Sequence, residues 1–85
     1  MKRCLLGVVL LVLLVTVPGR ADDLADEADL QFTLGAEAYQ KSDFRGALEH
    51  FLASNRLVPN RNVLYNIART YEQLKQFPEA YRYYT

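Results

Sequence analysis

An all-α fold of stacked helical hairpins is what this 85-residue sequence predicts, and three observations predict it. The first is self-similarity at an interval of 33 residues: Leu34 answers to Ile67, Gly35 to Ala68, Gln40 to Gln73, Phe44 to Phe77, Ala47 to Ala80 and Phe51 to Tyr84. A period between ~20 and ~50 residues marks an architecture built by stacking one supersecondary unit on the next. The second is that apolar residues inside each unit recur at three- and four-residue spacing, as one buried helical stripe requires. The third is the punctuation: Ser42-Asp43, Val58-Pro59-Asn60 and Gln76-Phe77-Pro78 divide the chain after Ala21 into four helical segments.

Ahead of the repeats lies a segment of different character. Met1 to Ala21 holds Lys2, Arg3 and Arg20 and no acidic residue. An apolar run from Leu5 to Val17 follows the two leading bases, Pro18-Gly19 ends it, and Gly19-Arg20-Ala21 sets small residues at both specificity positions of a signal-peptidase site. This is the three-part pattern of a secretory signal peptide. Cleavage is expected after Ala21. The competing reading is an uncut inner-membrane anchor. Thirteen apolar residues rise only about 20 Å as a helix, against a hydrocarbon core of ~30 Å, so length favours cleavage. Cys4 precedes the apolar run, too early to be the acylated cysteine of a lipoprotein, and it is the chain's one thiol. A processed product without thiols suits an oxidising compartment.

From Asp22 onward ten acidic residues face seven basic ones, a net charge of −3. That balance argues against a nucleic-acid partner, which needs a basic face for phosphates. Asp22, Asp23, Asp26 and Glu27 crowd the start of the first helix, where the macrodipole favours negative charge. Its buried stripe is expected to be Leu24, Ala28, Gln31, Leu34, Gly35, Ala38 and Tyr39. Asp43 can cap the second helix, about Phe44 to Leu57, with Ala47, Leu48, Phe51 and Leu52 inward. Val58 ends that helix because the residue before a proline is pushed out of helical geometry. Asn60 then caps a third helix, about Arg61 to Lys75, carrying Leu64, Ile67, Ala68, Tyr71 and Leu74. Pro78 suits the first turn of a fourth, where its missing N–H is not needed.

These residues resemble the tetratricopeptide repeat, in the form found in secreted or periplasmic bacterial proteins. Leu34-Gly35, Tyr39, Phe44, Ala47, Phe51 and Pro59 stand where that family places its Leu-Gly pair, aromatic, turn aromatic, alanine, aromatic and proline. Ile67-Ala68, Tyr71, Phe77, Ala80 and Tyr84 fit a second copy. The departures are Phe32 for the usual earlier aromatic, Ser54 for an alanine, and Lys75 for a turn glycine. After the expected signal peptide (1–21), the resemblance implies a repeat domain (22–85), one full unit over about 28–60 and a truncated one over about 61–85. It also implies close crossings at Gly35, Ala47, Ala68 and Ala80, with Phe44, Phe51, Phe77 and Tyr84 filling the gaps beside them. Tyr84, as the counterpart of Phe51, is expected to be buried.

No catalytic constellation stands out, and neither an enzyme activity nor a cofactor is expected. His50 is the sole histidine; Ala47, Ala53 and Ser54 around it supply no metal ligand, so it reads as a partly exposed helix residue. The acidic cluster lacks the spaced loop of a calcium site. The function that the resemblance implies is protein–protein scaffolding in the bacterial envelope. The first helix of each unit then lines a concave groove for a protein or peptide segment. Its groove-facing residues are Phe32, Ala36, Tyr39 and Gln40, then Tyr65, Asn66, Arg69, Glu72 and Gln73, with Asn66 set to bond a partner's backbone. The membrane is met only in transit, through the signal peptide. Because the second unit stops short of its expected end, the chain reads as the front part of a larger envelope protein whose activity lies downstream, or as a product that needs a partner or self-association through its last helix.

Overall fold

The computed structural model describes residues 20–85, which form four α-helices: α1 (Arg20–Gln40), α2 (Phe44–Leu57), α3 (Arg61–Gln73) and α4 (Phe77–Tyr84). No strand occurs among the described residues. The apolar run from Leu5 to Val17 lies outside them, and so does most of the expected signal peptide; Ala21, its expected cleavage point, is exposed in the first turn of α1. No helix among the described residues is long and apolar enough to cross a membrane.

Local chemistry sets each boundary. At the end of α1, Ser42 takes a left-handed conformation with φ 62°, while its N–H donates to Tyr39 O and the Asp43 N–H to Ala38 O, at 3.0 and 2.9 Å. This pair of bonds closes a Schellman turn. The same turn recurs 33 residues later, where Lys75 has φ 64°, its N–H donates to Glu72 O, and the Gln76 N–H to Tyr71 O, both at 2.9 Å. Glycine ordinarily fills such a position, since a Cβ there crowds the backbone.

Helix starts are less alike. The Asp43 carboxylate accepts the Gly46 N–H at 3.0 Å and caps α2. Gly46 leaves room for it: a Cβ at that position would collide with the Asp43 carboxylate. Asn60 caps α3 by accepting the Asn62 N–H at 2.8 Å, and its own N–H donates to Asn55 Oδ1 at 3.1 Å. At α4 the Gln76 side chain makes no capping bond, and Pro78 and Glu79 carry the first turn.

Consecutive helices pack on one another. Across α1 and α2, Tyr39 meets Phe44, Phe32 meets Phe51, and Ser54 meets Ala28, so the two helices run antiparallel. Small residues are among those buried between the helices. Ala47, Ile67 and Ala68 are fully enclosed, Phe51 and Ala80 are nearly so, and Gly35 is buried. A Cβ on Gly35 would lie 2.6 Å from the Phe51 ring, which therefore sits directly on the α1 backbone. Val63 and Ile67 of α3 join Ala47 and Phe51 of α2 in the central core, with Leu48, Leu52 and Leu64 packed around it.

Three expectations need correction. Leu24 is 44% exposed rather than buried. Ser54, near the end of α2, already pairs with Ala28, so α1 projects beyond its neighbour at that end. Tyr84 is 44% exposed where its counterpart Phe51 is 2%. Helix α3 covers α2 on that side; among the described residues, nothing covers α4 in the same way, and Phe77 and Tyr81 on it are 56% and 70% exposed. Finally, α3 ends at Gln73 rather than Lys75, because Lys75 forms the left-handed turn.

Candidate binding face

Helix α3 runs parallel to α1. Phe32 and Val63 line one cleft, near the middle of α1 and the start of α3, and Tyr39 meets Arg69 further along both. The first helices of the two hairpins therefore form two rows in the same sense, and the residues expected to face a groove can be placed on them.

Arg69 is the centre of the arrangement. Its guanidinium carbon lies over two rings, 5.2 Å from the centroid of Tyr39 on α1 and 5.8 Å from that of Tyr65 on α3. The face of an aromatic ring is negative, so both contacts hold the cation, at roughly 0.5–1 kcal/mol each for exposed groups. Tyr39 is braced from behind by Phe44, edge to face at 5.1 Å. Tyr65 is braced by Tyr84, again edge to face, at 5.7 Å. The Tyr84 hydroxyl in turn donates to a carboxylate oxygen of Glu72, one turn beyond Arg69 on α3. That bond, first of all, pushes the Tyr84 hydroxyl up to about 12, with smaller contributions from burial and from the Glu72 charge. Glu72 is thereby engaged by a phenol. Among the described residues the ion pair within 4.0 Å is Arg82 with Glu79, and no carboxylate pairs with Arg69.

The other expected residues are disposed differently. Gln40 and Gln73 are exposed at the far end of the rows. Tyr65 is 54% exposed, so it does not merely fill the interface between units. Ala36 is half-buried against the core, and Phe32 packs its ring on Phe51 with centroids 5.5 Å apart. Asn66 spends its amide locally, donating to Asn62 O at 2.9 Å, while its own carbonyl accepts the Thr70 hydroxyl at 2.7 Å. Its side chain is already engaged within α3 rather than held out for a partner.

Away from Gln40 and Gln73 lies a cleft of about 210 Å³ between the middle of α1, the end of α2 and the start of α3. Ala25, Ala28, Phe32, Val58 and Val63 supply its apolar lining, and Asp29, Ser54, Asn60 and Asn62 its polar part. Ser54 and Asn60 use their oxygens inside the protein, on Ala28 O and the Asn62 N–H. A second, larger hollow of about 470 Å³ lies between Arg61, Leu64 and Tyr65 of α3 and Tyr83, Tyr84 and Thr85 of the α4 end.

His50 is half-buried on α2, its Nδ1 2.8 Å from Gln31 Oε1 across the crossing, and the Gln31 amide donates to Glu27 at 3.2 Å. This is an interhelical tie, and no group of three metal-ligating side chains comes together among the described residues. The sequence could not show the ring–cation–ring contact, which draws its members from two helices thirty residues apart, nor the cleft, which three helices share. No protein-family model, curated protein or solved structure matches this chain.

Proposed function

We propose that this chain is an exported tetratricopeptide-type scaffold of the bacterial envelope, non-catalytic itself, which holds a segment of a partner protein along the face made by α1 and α3. Support for the repeat assignment comes from the 33-residue match, the small residues at Gly35, Ala47, Ala68 and Ala80, and the Schellman turns at Ser42 and Lys75, also 33 residues apart. Support for export comes from the leader pattern ending at Ala21.

The single observation that carries the binding assignment is Arg69 lying over Tyr39 and Tyr65 on an accessible face. Aromatic and arginine side chains are the types that dominate binding energy at protein interfaces: aromatics bring large contact area with little entropy to lose, and arginine brings a planar fork of donors. Here they are already held in place by Phe44 and Tyr84, so little further ordering is needed on association.

A photo-crosslinking amino acid at Gln73, on the proposed face, should capture a discrete partner in producing cells. The same group at Arg45, exposed on α2, should not. Equal capture from both positions, or none from Gln73, sinks the proposal. The intact mass of the exported product, starting at Asp22, tests the leader separately.

A further inference from the structure

The proposed face has two unlike ends, and their difference specifies what it takes. Between the middle of α1 and the start of α3 is a cleft of about 210 Å³, large enough for one aliphatic or aromatic side chain, with Asp29 in its lining. Further along is Arg69, its guanidinium carbon over the rings of Tyr39 and Tyr65 at 5.2 and 5.8 Å from their centroids and with no carboxylate partner within 4.0 Å among the described residues. A guanidinium carries five N–H donors in a planar fork, and that fork matches a carboxylate. Glu72, one turn away and the nearest acid on the same helix, is engaged by the Tyr84 hydroxyl instead. In a segment with three more acids than bases, an arginine held ready beside an acid committed elsewhere is complementary to a negative group from outside.

Resting on the binding role proposed above, we infer that the face recognises an acidic peptide segment of a partner protein, one apolar side chain seated in the cleft and one side-chain carboxylate on Arg69. The spacing follows from the helix. From Asn62 at the cleft to Arg69 is seven residues of α3, about 10 Å at 1.5 Å per residue. A peptide in polyproline-II geometry, with about 3.1 Å per residue and three residues per turn, covers that distance in three residues and brings both side chains to one face, so the motif is an apolar residue with Asp or Glu three positions away. Asp29, together with Asp22, Asp23, Asp26 and Glu27 in the same half of α1, repels an acid at the cleft end. The segment is therefore bound in one direction, its acidic end toward Arg69.

The test measures fluorescence anisotropy of labelled peptides on the full 85-residue chain in a zwitterionic detergent. The peptides have amidated C-termini and a Ser/Ala background, with Leu at one position and Glu three residues on. Controls exchange Glu for Lys, exchange Leu for Ala, or leave the C-terminal carboxylate as the only acid. The Leu/Glu peptide should bind about fivefold more tightly than the Lys peptide, the factor expected for an exposed ion pair. Arg69→Gln should erase that preference while the dependence on Leu persists, and Ala25→Leu, which fills the cleft edge, should erase the Leu dependence while the charge preference persists. Circular dichroism of both variants should match the parent. Leu-dependent binding that ignores charge overturns the inference but leaves the binding role standing. A requirement for the free C-terminus alone, an unchanged preference in Arg69→Gln, or no binding by any peptide also overturns it. The binding role itself is judged by the crosslink at Gln73.

Discussion

The Ser54 hydroxyl donates to the carbonyl oxygen of Ala28 at 2.8 Å, with both residues buried at the α1–α2 crossing. The tetratricopeptide pattern resembled by this chain has an alanine at the serine's position, and the hydroxyl turns a plain contact into a directional tie. Ser54→Ala should lower stability by about 1 kcal/mol, a typical net value for one hydrogen bond. In a domain of this size that is a fall of about 4–8 °C in melting temperature. Thermal denaturation followed at 222 nm reads it directly, and an unchanged melt would show that water or a neighbour replaces the bond.

Close approach at the Phe51 ring leads to a second expectation. A Cβ on Gly35 meets that ring at 2.6 Å, and the ring is itself enclosed. Gly35→Ala gains about 1 kcal/mol of helix propensity. Overpacking a filled core costs ~1–3 kcal/mol, so the net effect is loss. Ala47→Leu, at a fully enclosed position, should lose more. Chemical denaturation of the two variants beside the parent ranks them.

Substitutions at the two left-handed turns should act in the opposite direction. Ser42 and Lys75 hold φ near +60° without being glycine. Relief of the Cβ clash is worth ~1–2 kcal/mol per residue. Ser42→Gly and Lys75→Gly should each raise the melting temperature, and the double variant should raise it further because the two turns close on separate sets of carbonyls and share no hydrogen-bond partner. A fall on either substitution would contradict the backbone geometry.

Alkaline titration provides a fourth. The bond to Glu72 raises the Tyr84 hydroxyl to about 12, above the ordinary tyrosine value of 10.0. The folded state thus retains a proton that the unfolded state releases, and stability from this bond, complete below pH 10, declines as pH rises toward 12. Tyr71 is also held above the ordinary value, chiefly by burial and then by the charges of Tyr83 and Glu79. Phenolate absorbance at 295 nm should show a late-titrating tyrosine that disappears in Tyr84→Phe. Stability of that variant should depend less on pH over the same window.

Helix limits were largely legible in the linear order because their causes are local. Asp43 and Asn60 are short polar side chains that reach their own helix's N–H groups, and Pro59 and Pro78 act on immediate neighbours. The burial of Gly35, Ala47, Ala68 and Ala80 was legible too, since small residues on an apolar stripe fit where backbones come close. Leu24 and Tyr84 were misjudged because periodicity says which face an apolar residue occupies, not whether another helix is long enough to reach it. Leu24 lies past the end of α2, and Tyr84 belongs to a face that no described helix covers. Of the candidate face, Tyr65 and Arg69 were legible as positions, but their joint contact was not. It depends on Tyr39 arriving from α1, and that is a property of how two hairpins settle against each other.

The unequal helix starts have a consequence for how the molecule comes apart. Asp43 ties down the beginning of α2, whereas Gln76 leaves α4 without an equivalent clasp, and α4 is also the shortest of the four. Loss of order should therefore begin at the Phe77–Tyr84 side and travel inward, with α4 peeling away while α1 and α2 stay locked. In deuterium uptake this gives a slope of protection along the chain, steepest where Tyr84 lets go of Glu72. On this ordering, the first event of unfolding strips Tyr65 of its brace, and the contact surface loses its shape before the fold does.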